Sequence, residues 1–290
     1  MTMTNVHCVA DVGAVLGEGP VWVSREQALY WVDINGRKIF RLGDRGDVSE
    51  WATPFRVGSL APRASGGFIA GTDQGIAAID REAERYDILI EPEKHLPDNR
   101  FNDGKVDRRG RFWAGSMDDG ERQPSGTLYC IDRGLEIAAI DADYKVTNGP
   151  AFSPTGNVMY ESDSARQITY AFDVDANGSV SNRRTFLQFN AGDGYPDGMT
   201  VDADGCLWIA FWDGWCLRRY SAAGEWLETI KMPVQRPTNC TFGGPDMDRL
   251  YITSARRDFD EATLAMQPNA GALFMLTPGV GGVPDMPFAG

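Results

Sequence analysis

Four short segments of this sequence carry polar side chains that could do chemistry together. Glu18 sits in Leu16-Gly-Glu18-Gly-Pro20. Asn102 and Asp103 sit in Asn99-Arg-Phe-Asn-Asp-Gly104, Asn148 in Val146-Thr-Asn148-Gly-Pro150, and Asp197 in Tyr195-Pro-Asp197-Gly-Met199. Each is flanked by glycine or proline in a stretch that is otherwise largely apolar. Counted from Glu18 through Asn102 and Asn148 to Asp197, the gaps are 84, 46 and 49 residues. Glu18, Asn148 and Asp197 offer only oxygen donors. Two carboxylates balance the charge of a divalent ion, and a neutral amide adds a ligand without excess charge. Such a set suits Ca²⁺, Mg²⁺ or Mn²⁺ better than metals that prefer soft ligands. Three protein ligands leave positions open for water and substrate, which marks a catalytic ion rather than a structural one. Taken singly, Asn-Gly and Asp-Gly make turns. Four such positions at matching intervals point to a site.

Residues so far apart converge only if a repeating element carries them. One pattern recurs: a turn, then alternating aromatic and aliphatic residues. It begins at Ala28 (Ala-Leu-Tyr-Trp-Val-Asp), Gly66, Gly110 (Gly-Arg-Phe-Trp-Ala-Gly), Gly156, Gly205 (Gly-Cys-Leu-Trp-Ile-Ala) and Asp248. The starts are 38, 44, 46, 49 and 43 residues apart, the spacing of propeller blades. Each copy is followed by a second extended run across a short polar or glycine-rich turn, which reads as a hairpin. The gaps between the polar positions are then about two blades, one and one. The expected fold is all-β: residues 1–290 form a single six-bladed propeller domain with a central metal site. A pair of β-sandwiches would not explain six regular copies. The N-terminal run 6–12 is expected to add a strand to the last blade and remove an open edge. Residues 258–267 are the one candidate for a helical turn.

Composition narrows the function classes. The 290 residues include 28 Lys and Arg against 41 Asp and Glu, a net charge of −13. Such a surface repels phosphate backbones and anionic lipid, so neither nucleic-acid nor membrane partners are expected. It attracts metal cations instead. There is no run of about 18 apolar residues to span a bilayer, and no signal peptide is visible. The five cysteines are scattered, odd in number and without a CxxC pair, so a reducing cytoplasm is the expected compartment. The sequence pattern carries no signal for an oligomeric state.

Several engines are excluded. Asp173-Val-Asp175-Ala-Asn177-Gly178 resembles the start of a calcium loop, but Arg184 stands where the bidentate glutamate belongs. Asn177-Gly178 reads better as a hairpin turn. There is no GxSxG, P-loop or HExxH. Only His7 and His95 exist, one in an expected edge strand and one in a charged loop. A hydrolase built on this chain must work with carboxylates and a metal.

At these residues the chain resembles the senescence marker protein, gluconolactonase and luciferin-regenerating enzyme family. The resemblance rests on LGEGP at 16–20, NRFNDGKVD at 99–107, SNRR at 181–184, PDGM at 196–199, DADGCLW at 202–208 and FGGPD at 242–246. It implies a six-bladed propeller with one divalent ion (Ca, Mg, Mn, Zn or Fe) in the channel. Glu18, Asn148 and Asp197 would be its ligands. Arg100 and Asn102 would contact substrate, and Asp197 would serve as general acid/base. Members commonly hydrolyse sugar lactones to aldonic acids, so the expected partner is a small-molecule sugar lactone. In animal members a glutamate contacts the sugar, and its position falls here on Gly120. Asp118 and Asp119 are the expected substrate-binding substitutes, with Glu121 the alternative.

The expected reaction is metal-assisted opening of an aldonolactone. The ion would polarise the carbonyl, and Asp197 would take a proton from the attacking water and could return it to the ring oxygen. Two other readings have their own marks. An aryl-ester or phosphotriester hydrolase would use Trp212 and Trp215 as an apolar pocket. A non-enzymatic calcium-binding protein would tolerate loss of Glu18 and Asp197.

Overall fold

The recurring hairpins extend into six antiparallel sheets of four strands each. The computed structural model describes residues 6–290. The blades open with Gly17–Val23, Val57–Pro62, Asn99–Val106, Thr147–Phe152, Tyr195–Val201 and Pro237–Gly243. These first strands touch their neighbours around a closed ring, with Pro237–Gly243 returning to Gly17–Val23. They are buried over nearly their whole length, whereas a fourth strand such as Val48–Ala52 alternates between exposed and half-buried. The aromatic runs read from sequence are the second strands, as in Ala28–Asp33, Phe112–Asp118 and Leu207–Trp212. Their Trp31, Trp113 and Trp208 are fully buried between blades.

A polar staple repeats beside these tryptophans. Asp107 and Asp202 each accept a hydrogen bond from the indole Nε1 of Trp113 and Trp208, at 2.9 Å in both cases. Each also accepts backbone N–H groups of the turn that follows it. Gly110 and Gly205 close these turns at φ of 80° and 83°, where a side chain would be strained. The Asp-x-x-Gly punctuation in the sequence is this staple. The run from Asp175 to Gly178 is likewise a hairpin turn, with Asp175 accepting from Asn177 and Ser179 N–H.

The ring is closed from both ends of the chain. His7–Ala10 pairs antiparallel with Leu273–Leu276 and completes blade six, as the N-terminal pattern implied. The C-terminal tail crosses between blades. Phe288 is fully buried against Ile69, Val106 and Phe112, and its N–H and C=O bond Pro62 and Ala64. The helical turn is Glu261–Met266, capped by Asp260 through the Thr263 N–H. No helix among the described residues is long and apolar enough to cross a membrane. All five cysteines are free.

Candidate metal centre and substrate cavity

The glycine- and proline-flanked positions lie inside the innermost strands rather than in loops. Every innermost strand shifts register against its neighbour at the same place, between Glu18 and Val21, Phe101 and Gly104, Asn148 and Ala151, Pro196 and Met199, or Pro237 and Cys240. Blade two shifts between Val57 and Ser59. The extra residue of a bulge re-aims a side chain. Here six bulges around a ring turn side chains into the channel. Blade two offers no ligand because Gly58 occupies the equivalent place. A Cβ there would lie 2.4 Å from the Asn102 carbonyl oxygen, so glycine is what lets blade three approach. This explains the double gap between Glu18 and Asn102.

The ring brings Glu18, Arg100, Asn102, Asn148 and Asp197 to one cavity of about 390 Å³, within the usual size range of small-ligand sites. Leu16, Met117, Tyr195 and Trp212 add apolar wall. Glu18 Oε2 accepts from Gly19 N–H at 2.8 Å and from Asn239 Nδ2 at 3.0 Å. Asp197 Oδ1 accepts from Gly198 N–H at 3.1 Å. The second oxygen of each carboxylate has no hydrogen-bond donor among the described residues. Asn148 Nδ2 donates to Ser164 Oγ at 2.8 Å, and Asn102 Nδ2 donates to Asn148 Oδ1 at 3.1 Å. Ser164 Oγ in turn donates to Pro196 C=O at 2.5 Å. The amide of Asn148 is thereby fixed with its oxygen on the Asn102 side.

Burial raises the two carboxylates of this cavity, as it raises Glu161 outside it. Burial pushes Glu18 up to about 8, with the Asp103 charge adding to it and the Gly19 and Asn239 donors opposing. Burial, then the charges of Glu18 and Asp103, holds Asp197 well above the usual carboxylate range. Burial also pushes Asp103 up to about 6. Carboxylates buried together without a cation resist ionising. A divalent ion would reverse this, and Glu18, Asn148 and Asp197 are the oxygen donors on the cavity wall whose chemistry fits one. The set holds only two carboxylates. Among the described residues no group of three or more His, Cys, Asp or Glu side chains is arranged to hold an ion.

The remaining expected contacts divide. Arg100 is buried on the cavity wall; its Nε donates to Asp119 at 2.7 Å and its Nη1 to Asn102 Oδ1 at 2.6 Å. Both amide hydrogens of Asn102 are engaged, by Thr147 C=O and Asn148. Asp118 and Asp119 do not line the cavity. Asp118 turns into its own loop, accepting Gly120, Arg122 and Gln123 N–H, and the Arg122 side chain leads in holding it well below the usual range. Asp119 sits behind Arg100 and also pairs with Arg56 at 2.9 Å. Glu121 lines the cavity instead. Trp212 lines it too, while Trp215 is 43% exposed and lies outside. His7 and His95 are exposed and lie outside it.

Two residues join the site that the sequence reading did not include. Asn239, 4% exposed, donates from one Nδ2 to both Glu18 Oε2 and Asp103 Oδ2, each at 3.0 Å. Ser164 orients Asn148 as described. Asn239 had a signal: it lies 42 residues after Asp197, in phase with the other blades. Ser164 had none, since it follows a second strand rather than an innermost one.

Fold and cavity together define a six-bladed propeller whose innermost strands bring Glu18, Asn148 and Asp197 to one cavity. The chain belongs to the family described as SMP-30/Gluconolactonase/LRE-like region, whose model matches residues 16–256. It is 38% identical over 288 residues to the 6-deoxy-6-sulfogluconolactonase of Pseudomonas putida, covering 99% of each chain. It is 34% identical over 300 residues to regucalcin of Gallus gallus, covering 100% of both. A crystal structure of regucalcin from Agrobacterium tumefaciens, described as a calcium-binding protein, superposes with a TM-score of 0.94. That match is 26% identical and covers 98% of this chain and 97% of that one.

Proposed function

We propose that this chain is a divalent-metal-dependent sugar lactonase that opens an aldonolactone to the aldonic acid. The observation that carries this reading is the floor of the cavity, where bulges hold Glu18, Asn148 and Asp197 and one oxygen of each carboxylate has no protein donor. The relatives' names, a sulfogluconolactonase and a calcium-binding regucalcin, agree with it. Glu18, Asn148 and Asp197 would hold the ion, which when bound supplies Lewis-acid polarisation of the ester carbonyl.

The chain's own groups do the rest. Arg100, locked by Asp119 and Asn102, aims its remaining nitrogen at the substrate oxygens. Asn102 positions both Arg100 and Asn148. The Asp197 carboxylate accepts a proton from water as the water oxygen bonds the carbonyl carbon. The acyl–oxygen bond of the ring then breaks, and the same proton passes to the departing ring oxygen. Glu121 on the rim accepts from sugar hydroxyls, the role the sequence left among Asp118, Asp119 and Glu121. The apolar faces of Trp212 and Tyr195 cover the sugar's C–H surface.

The test is acid release from glucono-, xylono-, arabinono- and galactonolactones by chelator-stripped protein, with Ca²⁺, Mg²⁺, Mn²⁺, Zn²⁺ or Fe²⁺ added back. Metal-dependent acceleration over spontaneous hydrolysis is expected. No acceleration with any ion on any lactone would overturn the reading.

A further inference from the structure

The cavity wall carries two cations that the protein does not use internally. Lys145 lines the cavity just before the innermost strand of blade four. Its backbone is pinned: the N–H donates to Asp163 Oδ2 at 3.0 Å, and Ser164 N–H bonds the next carbonyl, Val146, at 2.9 Å. Asp163 is fully buried and its ion pair is with Arg166, at 3.2 Å. The Lys145 ammonium makes no ion pair or hydrogen bond among the described residues. Arg257 lines the cavity from blade six, and only its Nε is engaged, by Asp258 at 3.2 Å. That is a surface pair of little weight. Arg100 differs from both, since it is bound on all but one side by Asp119, Asn102 and the Phe101 carbonyl.

The charge balance of the lining gives these cations a purpose. Arg100, Lys145 and Arg257 face Glu18, Glu121 and Asp197, three charges of each sign. With Glu18 and Asp197 given over to a divalent ion and Arg100 already offset by Asp119 at 2.7 Å, Lys145 is left with no counter-charge and Arg257 with only the exposed Asp258. A neutral sugar does nothing to offset them. An acid group on the sugar, remote from the ester, does. Lysine suits this task because its ammonium is a compact charge with three rotatable donors, able to meet a planar carboxylate or a tetrahedral oxyanion.

We infer that the substrate is an acid-bearing aldonolactone whose carboxylate, sulfonate or phosphate is held by Lys145, with Arg257 adding to the field. This rests on the lactonase reading above and specifies its substrate class. The probes are neutral gluconolactone, glucarolactone (carboxylate), 6-phosphogluconolactone and 6-deoxy-6-sulfogluconolactone, with wild type, Lys145→Met and Arg257→Gln. At least one acid-bearing lactone is expected to exceed the neutral one in kcat/KM by about tenfold or more. Lys145→Met should reduce that advantage by about 10–100-fold through KM, while neutral gluconolactone changes less than about threefold. The acid type with the largest loss identifies the natural group. The advantage should also shrink as salt is raised. A second readout needs no turnover: the open diacid glucarate should change the intrinsic tryptophan fluorescence at lower concentration than gluconate does, Trp212→Phe should remove the signal, and Lys145→Met should remove the difference. Equal rates on neutral and acid-bearing lactones, or a Lys145→Met loss shared by both, would overturn the inference and leave the lactonase reading standing. Hydrolysis of none of the lactones overturns both.

Discussion

Replacing Asn239 with alanine is expected to weaken the proposed ion site and the fold together. One buried Nδ2 serves Glu18 Oε2 and Asp103 Oδ2, both at 3.0 Å, and Asn239 Oδ1 accepts from Cys240 N–H at 2.8 Å. A hydrogen bond to a charged partner contributes ~1.5–3 kcal/mol, and leaving a buried acceptor unpaired costs more than losing an exposed one. The two bonds share one nitrogen, so their full sum is an upper bound and ~3 kcal/mol is the expected loss. For a chain of this size that lowers Tm by roughly 5 °C. Partners that orient a metal ligand typically govern 10–100-fold in metal affinity, so Ca²⁺ binding should weaken by about that factor. Calorimetric titration of stripped protein and thermal unfolding by circular dichroism read the two effects. Gly198→Ala provides an independent arm. A Cβ at Gly198 would lie 2.0 Å from Asn239 Cγ, so the methyl group must displace the amide while leaving every donor atom in the chain. It should reproduce the loss of affinity. Wild-type ion binding in both variants would refute the orienting role of Asn239.

Three further outcomes follow from the geometry. Asp197→Asn should keep the fold and lose at least ~10²-fold in kcat with metal bound, since the proton acceptor is gone; full turnover would remove Asp197 as the base. Phe288→Ala should destabilise by about 3–5 kcal/mol, because a fully buried ring leaves a cavity where the tail meets blades two and three; an unchanged Tm would show that the tail does not contribute to stability. Asp118 has its acidity strengthened chiefly by Arg122 and by three loop N–H groups, so its contribution is fully present above the unfolded carboxylate value of about 3.9 and is lost as pH falls below it. The Tm difference between wild type and Asp118→Asn should therefore shrink as pH is lowered from about 5 towards 2, and a difference that grows in acid would reverse the assignment.

Much of the fold was legible because blade repetition writes itself into the chain. Each second strand needs large alternating residues to fill the gap between blades, and Trp31, Trp113 and Trp208 recur for that reason. The candidate site residues were legible through their glycine and proline neighbours, whose local meaning was nevertheless different. Gly-Pro after Glu18 and after Asn148 reads as a turn, yet it forms a bulge within a strand. Asn239 was hidden because cysteine rather than glycine follows it, and its Asn-Cys-Thr context resembles a glycosylation acceptor. Asp118 and Asp119 were attractive as acidic residues at the right place in the chain. Their directions depend on Arg122, Arg56 and Arg100, two of them far away in sequence or in another blade.

By itself, then, the sequence determined the number of blades, the strand that closes the ring and the oxygen character of the candidate centre. These are properties of period and residue type, which local chemistry enforces wherever the chain goes. The tertiary structure decided which oxygens stay unengaged, which carboxylates are pushed up by each other's burial, and which cations face the cavity rather than a partner. Those depend on distances across the channel between strands that share no sequence neighbourhood, and on backbone bulges whose direction only the closed ring defines.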